Sequence, residues 1–125
     1  MVLLLLAGCK GEALPEGMSE DELFIAGKDV MLLLVAGEYD TVHGLLREDQ
    51  RKLVSVDAIE EAVSLQLDGA GVYKQIEDHM ATGQNVKGER YAVSVLYCQF
   101  SEEYVLARIF FDKDWELVGF SLDQQ

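Results

Sequence analysis

The spacing of apolar residues changes near residue 72, and that change limits the fold more than any motif does. Before it, apolar side chains recur every three or four positions; after it, they alternate. A chain written as helices first and strands after packs a helical layer on an antiparallel sheet, the α+β class, and not a βαβ parallel sheet. With 125 residues there is room for one domain around one core.

Three helices are expected in the first half. Ser19-Glu20-Asp21-Glu22 has the form of a capping box, with three acids at the positive end of the helix dipole. Leu23, Ala26, Val30, Leu33 and Leu34 then form the apolar stripe, and Gly37 is the stop. Tyr39, Val42, Leu45 and Leu46 predict a second helix of about two turns. Ser55 caps a third, whose stripe is Val56, Ile59, Val63 and Leu67, and Gly69 and Gly71 end it.

Four strands are expected after that, over residues 72–81, 90–100, 104–111 and 115–122. The breaks are 82–88, 101–103 and 112–114, and the last two are short enough for hairpins, which gives a four-stranded antiparallel meander. Pairing Phe100 with Val105 and Phe111 with Glu116 collects Leu96, Cys98, Phe100, Val105, Ala107, Ile109, Phe111, Val118, Phe120 and Leu122 on one face. All are apolar, and a slip of one residue mixes polar positions among them, so this is the face the helices cover.

The opposite face carries Tyr91, Val93, Val95, Tyr97, Gln99, Tyr104, Leu106, Arg108, Phe110, Trp115 and Leu117. A solvated face alternates to plainly polar residues, and this one does not. Tyr, Trp and a single Arg are also the residue types of interface hot spots. The expectation is a homodimer about a two-fold axis through this face, with Tyr97, Tyr104, Arg108, Phe110 and Trp115 in the contact. Arg108 would hold a carboxylate of the partner copy; a ligand carboxylate and a solvated charge are the other readings. Charged neighbours and the N-terminal segment are the other candidates to cover the face.

The chain opens Met1-Val-Leu-Leu-Leu-Leu-Ala-Gly-Cys9, too short a run to span a bilayer. Leu6-Ala7-Gly8-Cys9 resembles the bacterial lipobox, in which an apolar residue and two small ones precede the Cys that receives diacylglycerol. No Lys or Arg precedes the run, so residues 1–8 are read as the residue of a signal peptide whose start lies upstream. Residues 9–18 are then the lipidated Cys and a polar tether holding the only Pro, and 19–125 the domain. The location implied is extracytoplasmic, on a bacterial membrane. The competing reading is a buried N-terminal strand with Cys9 in the core. Cys98, the other Cys, reads as a buried small hydrophobe, and two Cys give neither a disulfide framework nor a zinc site.

Ten Lys and Arg stand against 23 Asp and Glu, a formal charge of −13, and no basic cluster exceeds Arg47, Arg51 and Lys52. Nucleic acid is excluded as a partner on that balance, and so is a membrane except through the Cys9 lipid. No G-x-S-x-G, H-E-x-x-H, C-x-x-C or phosphate-cradling glycine loop is present, so neither cofactor nor metal is expected. The Asp-Lys-Asp run at 112–114 has too few oxygens for calcium and reads as a turn.

The capped first helix, the Ala36-Gly-Glu-Tyr-Asp-Thr-Val42 turn, and the meander ending Phe111-Asp-Lys-Asp-Trp-Glu-Leu-Val-Gly-Phe120 resemble the nuclear-transport-factor-2-like cone fold. Within it the chain is most similar to the bacterial domain of unknown function 3887, over nearly all of residues 19–123. The resemblance implies a curved sheet wrapped on helices, a cavity at the mouth of the cone, frequent dimerisation through the outer sheet face, and an envelope role binding a small ligand or a protein partner. It implies no reaction, since this fold hosts enzymes and adaptors alike. Enzymes of the fold place Asp, His or Tyr inside the cone, which makes His43, His79, Tyr39, Tyr73 and Asp78 the candidates. Asp78 alternates with Ile76 and Met80, so it could be directed towards the core, where a carboxylate could act as general base; the preferred reading is a strand-end Asp near solvent. His43 lies off the stripe of the second helix, and His79 falls among polar residues of an edge strand. The first reading is therefore a non-catalytic, lipid-anchored binding domain, and the alternative an isomerase- or dehydratase-like enzyme using Asp78 or His43.

Overall fold

The computed structural model describes residues 12–125; Cys9 lies outside them. Among the described residues, four helices precede four strands: α1 (Glu20–Val35), α2 (Tyr39–Leu45), α3 (Glu48–Arg51), α4 (Val56–Gln66), β1 (Tyr73–Val86), β2 (Glu89–Phe100), β3 (Tyr104–Phe111) and β4 (Leu117–Gln124). The strands form one antiparallel sheet in the order β1-β2-β3-β4, and the fold is α+β as the period change predicts. No helix among these residues is long and apolar enough to cross a membrane.

Capping chemistry sets the long helices. The Ser19 hydroxyl accepts from the Glu22 amide at 3.2 Å while the Glu22 carboxylate accepts from the Ser19 amide at 3.1 Å, the reciprocal pair that starts α1. At its end Gly37, with φ of +78°, lets Glu38 N–H reach the Leu33 carbonyl and Gly37 N–H the Leu34 carbonyl, a Schellman stop. Ser55 caps α4 by accepting from the Ala58 amide at 3.1 Å. The single turn α3 is a fourth helix that the pattern did not predict, because it buries none of its residues and so has no apolar stripe.

The inward face of α1 is Leu23, Gly27, Val30, Met31 and Leu34, with Ala26 and Leu33 only half-buried. Gly27 rather than Ala26 faces the sheet because the helix lies directly on β2. A Cβ at Gly27 would stand 2.2 Å from Ser94 Oγ, which itself donates to the Leu23 carbonyl at 2.7 Å. The main core fills the space between α1, α2, α4 and the inner sheet face, and Leu96, Cys98, Phe100, Val105, Ala107, Ile109, Phe111 and Leu122 all belong to it.

Both hairpins on β3 are displaced by two residues from the expected pairing: Val105 faces Cys98, not Phe100, and Ile109 faces Phe120, not Val118, while past the bulge Phe111 faces Leu117 rather than Glu116. A slip of two keeps every side chain on its face, so the face assignment holds although the register differs. The exception is Leu117. A bulge between Phe110 and Phe111 turns it from the outer face into the core, where it is buried, and leaves Val118 only half-buried.

The first strand departs further. Residues 82–86, expected as a break, continue β1, because Lys87 and Gly88 with φ of +53° and +85° close a two-residue hairpin to β2. Two bulges, after Tyr73 and after Ile76, reset its phase. Ile76, His79 and Ala81 pair with inner-face residues of β2, while Asp78 pairs with Tyr97 on the outer face. Simple alternation puts Asp78 with Ile76; the bulge separates them.

The segment before α1 is docked. Gly83 N–H donates to the Glu12 carbonyl at 3.2 Å, the Arg90 guanidinium donates to the Ala13 carbonyl at 2.6 Å, Pro15 is buried, and Met18 joins the core. Of the stretch read as a tether, residues 12–18 therefore lie against the domain.

Candidate functional site

The helix-free face of the sheet is built by β2 and β3, whose odd and even positions respectively turn away from the core. Val93, Val95 and Leu106 there are buried, each below 3% exposure, with no helix over them. Their cover is the taller ring of Met80, Tyr97 and Phe110. A second apolar cluster, separate from the main core, thus lies just under the surface. Tyr104 stacks on Tyr97 with ring centroids 5.0 Å apart and planes 2° from parallel, and its hydroxyl donates to Glu77 at 3.3 Å. Arg108 donates to Asp123 at 2.9 Å within the same chain. Four of the five residues expected in the contact, Tyr97, Tyr104, Arg108 and Phe110, are together on this face.

Trp115 is not with them. It sits in the β3–β4 turn with φ of +67°, its ring 5.9 Å from the core residue Phe111, and is 38% exposed. The turn forms because Asp112 Oδ1 accepts from the amides of Asp114 and Glu116, each at 2.9 Å.

A polar cluster that periodicity does not reveal surrounds Arg47. Its guanidinium grips both carboxylate oxygens of Asp49 at 2.9 and 3.0 Å, and donates to Glu89 at 2.6 Å and Asp112 at 3.3 Å. It also lies over the Tyr91 ring, 5.8 Å from the centroid. Asp112 is 3% exposed, a buried carboxylate neutralised by this cation and by two turn amides. The hydrogen bonds to Asp49 and Glu89 hold the guanidinium protonated more firmly than usual, and Arg47 in turn depresses Asp49 below the usual carboxylate range. With three carboxylates already on one cation, the cluster is a clamp between the α2–α3 link and both hairpins, and has no capacity for an anionic ligand. Asp49 is two residues away, but Glu89 and Asp112 lie 42 and 65 residues away in sequence, a separation no local spacing encodes.

The acid–base candidates do not assemble. Asp78 is exposed on the outer face, its carboxylate accepting from the His79 amide at 2.9 Å. His43 Nε2 donates to the Val54 carbonyl at 2.8 Å and ties α2 to the loop before α4. His79 stacks on Phe24 of α1, 4.1 Å between centroids, with Nδ1 3.7 Å from Glu20. Tyr39 and Tyr73 line one open hollow of about 670 Å³ between the helices and the sheet, with Leu34, Val63, Leu67 and Phe100. Burial raises the Tyr73 hydroxyl above its ordinary range, and the lining holds no carboxylate or imidazole. Cys98 is buried, and burial pushes its thiol up to about 12. Among the described residues no group of three or more His, Cys, Asp or Glu is placed to hold a metal ion.

No curated protein matches the chain. Among solved structures it is similar to a protein from Ruminococcus gnavus ATCC 29149 determined by NMR, with a TM-score of 0.74 and 17% identity over 88% of this chain and 96% of that one. At that identity the likeness shows the fold alone. Residues 28–120, from within α1 to within β4, match a protein family of unknown function, and on that match the chain belongs to the DUF3887 family.

Proposed function

We propose that this protein is a non-catalytic, lipid-anchored domain outside the cytoplasmic membrane that pairs with a second copy through the helix-free face of its sheet. The observation that carries the pairing is the second apolar cluster. Val93, Val95 and Leu106 lie under the partly exposed Met80, Tyr97 and Phe110 and not under a helix, and an apolar and aromatic surface over a packed floor suits a partner surface of the same kind. Arg108 and Asp123 at its rim carry opposite charges, so a two-fold arrangement can exchange their pairing between copies. The anchor rests on Leu6-Ala7-Gly8-Cys9. The non-catalytic reading rests on the separation of Asp78, His43 and the Tyr39–Tyr73 hollow.

Light scattering on the full chain bearing Cys9→Ala tests the pairing. A dimer that becomes monomeric in Tyr97→Asp/Phe110→Asp, with an unchanged far-UV spectrum, is expected; a wild-type monomer at the highest soluble concentration overturns it. Radioactive palmitate incorporation into the wild type and not into Cys9→Ala tests the anchor. Label retained on the variant removes it.

A further inference from the structure

We propose that the end of the domain formed by the tips of the β1–β2 and β3–β4 hairpins rests on the lipid headgroups, with Trp115, Lys87 and Lys113 as its contacts. This rests on the anchoring of Cys9 and fixes which surface that anchor presents to the bilayer.

The first argument is length. The chain is held from Glu12 onward by the Gly83 amide and the Arg90 guanidinium. Only Lys10 and Gly11 separate Glu12 from Cys9, three peptide units with a reach of at most about 11 Å. A Cβ at Gly83 would stand 1.9 Å from the Ala13 carbonyl oxygen, so the docked segment lies flush on β1. The domain therefore cannot stand off the membrane, and the surface around Glu12 is the one that meets it.

The second argument is what that surface carries. Pro15 and Glu16 share a hollow with Lys87, Gly88, Glu89 and Arg90 of the first hairpin and Lys113 and Asp114 of the second, which places both tips beside the docked segment. With Glu12, Asp112, Glu116 and the Arg47–Asp49 pair beside that hollow this end is acidic on balance, yet it gathers four of the ten Lys and Arg of the chain. The opposite end, about 40 Å away along the twelve residues of β2, displays Asp68, Glu102 and Glu103 with a single lysine, Lys74. A lysine at each tip, Lys87 and Lys113, can reach lipid phosphate.

The third argument is Trp115, the only Trp of the chain, partly exposed at the tip of the second hairpin. Its left-handed φ is one that glycine adopts freely and a bulky side chain does not. An indole half in and half out of its own protein is the amphipathic group that favours the headgroup layer.

Trp115 is its own probe. The lipidated full chain is reconstituted in vesicles of phosphatidylethanolamine and phosphatidylglycerol containing a nitroxide-headgroup lipid. Loss of most Trp115 emission is expected, with little loss when the sole Trp is moved to the far end in Trp115→Phe/Glu103→Trp. Lys87→Glu/Lys113→Glu should reduce the quenching. Equal quenching at 115 and 103 in a chain whose mass shows the lipid overturns the orientation alone. A chain whose mass lacks the lipid overturns the anchoring, and the orientation with it.

Discussion

Gly27 is glycine because α1 and β2 leave no space for a side chain, not because its backbone needs one absent. Gly27→Ala would drive a methyl into Ser94, to 2.2 Å from Oγ and 2.7 Å from Cβ. The expected cost is about 1–3 kcal/mol in urea unfolding, with Ser94→Gly in the same chain recovering part of it. Arg47 makes a different kind of prediction. It holds the Asp49 carboxyl below its ordinary 3.8, so the stability this pair contributes is present above that pH and lost as pH falls through the depressed value. Arg47→Met should be less stable near neutrality and should lose less on acidification below about pH 4, measured by denaturant midpoints across pH. Cys98, buried and with its thiol pushed up to about 12, should resist alkylation in the folded Cys9→Ser chain and react only on unfolding. Its burial was legible, because it alternates with Leu96 and Phe100 in an apolar run. Gly27 and Arg47 were not, because each owes its role to an atom brought in from a distant segment.

Elements were legible to the extent that one period ran through them undisturbed. The inner face of β2 and β3 reads correctly even with both registers displaced by two, since the period of two returns each side chain to its side. In β1 two bulges break that period, and Asp78 lies on the outer face rather than on the face of Ile76. One side chain, with two backbone hydrogen bonds between Asp112 and residues 115 and 116, shapes the β3–β4 hairpin. Asp112 Oδ1 binds the amides of Asp114 and Glu116 while Oδ2 faces Arg47. Asp112→Ala leaves those amides and the guanidinium without it, which should cost about 1–3 kcal/mol. Hydrogen exchange at residues 114 and 116 should speed up, while amides of β2 keep their protection relative to global stability. Uniform acceleration across the sheet would mean that the turn is not a separate unit.

At the scale of the molecule the two proposals constrain one another. If the hairpin tips rest on lipid, β2 runs from Glu89 near the bilayer to Phe100 away from it, and the helix-free face looks sideways, along the membrane, towards other anchored copies. Confinement to one surface raises the concentration at which such faces meet, so a weak contact suffices for pairing there. Charge opposes it, because each copy carries −13 and like charges repel across any interface between them. Raising salt from about 0.02 to about 0.3 M shortens the screening length from roughly 20 to roughly 5 Å and should tighten association of the soluble Cys9→Ala chain, by several-fold in sedimentation equilibrium. The apolar floor of Val93, Val95 and Leu106 is indifferent to that change, so the sign of the salt effect tells the acidic surroundings from ion pairs across the contact. Association that weakens with salt instead would show that exchanged Arg108–Asp123 pairs, and not the apolar and aromatic surface, hold the copies together.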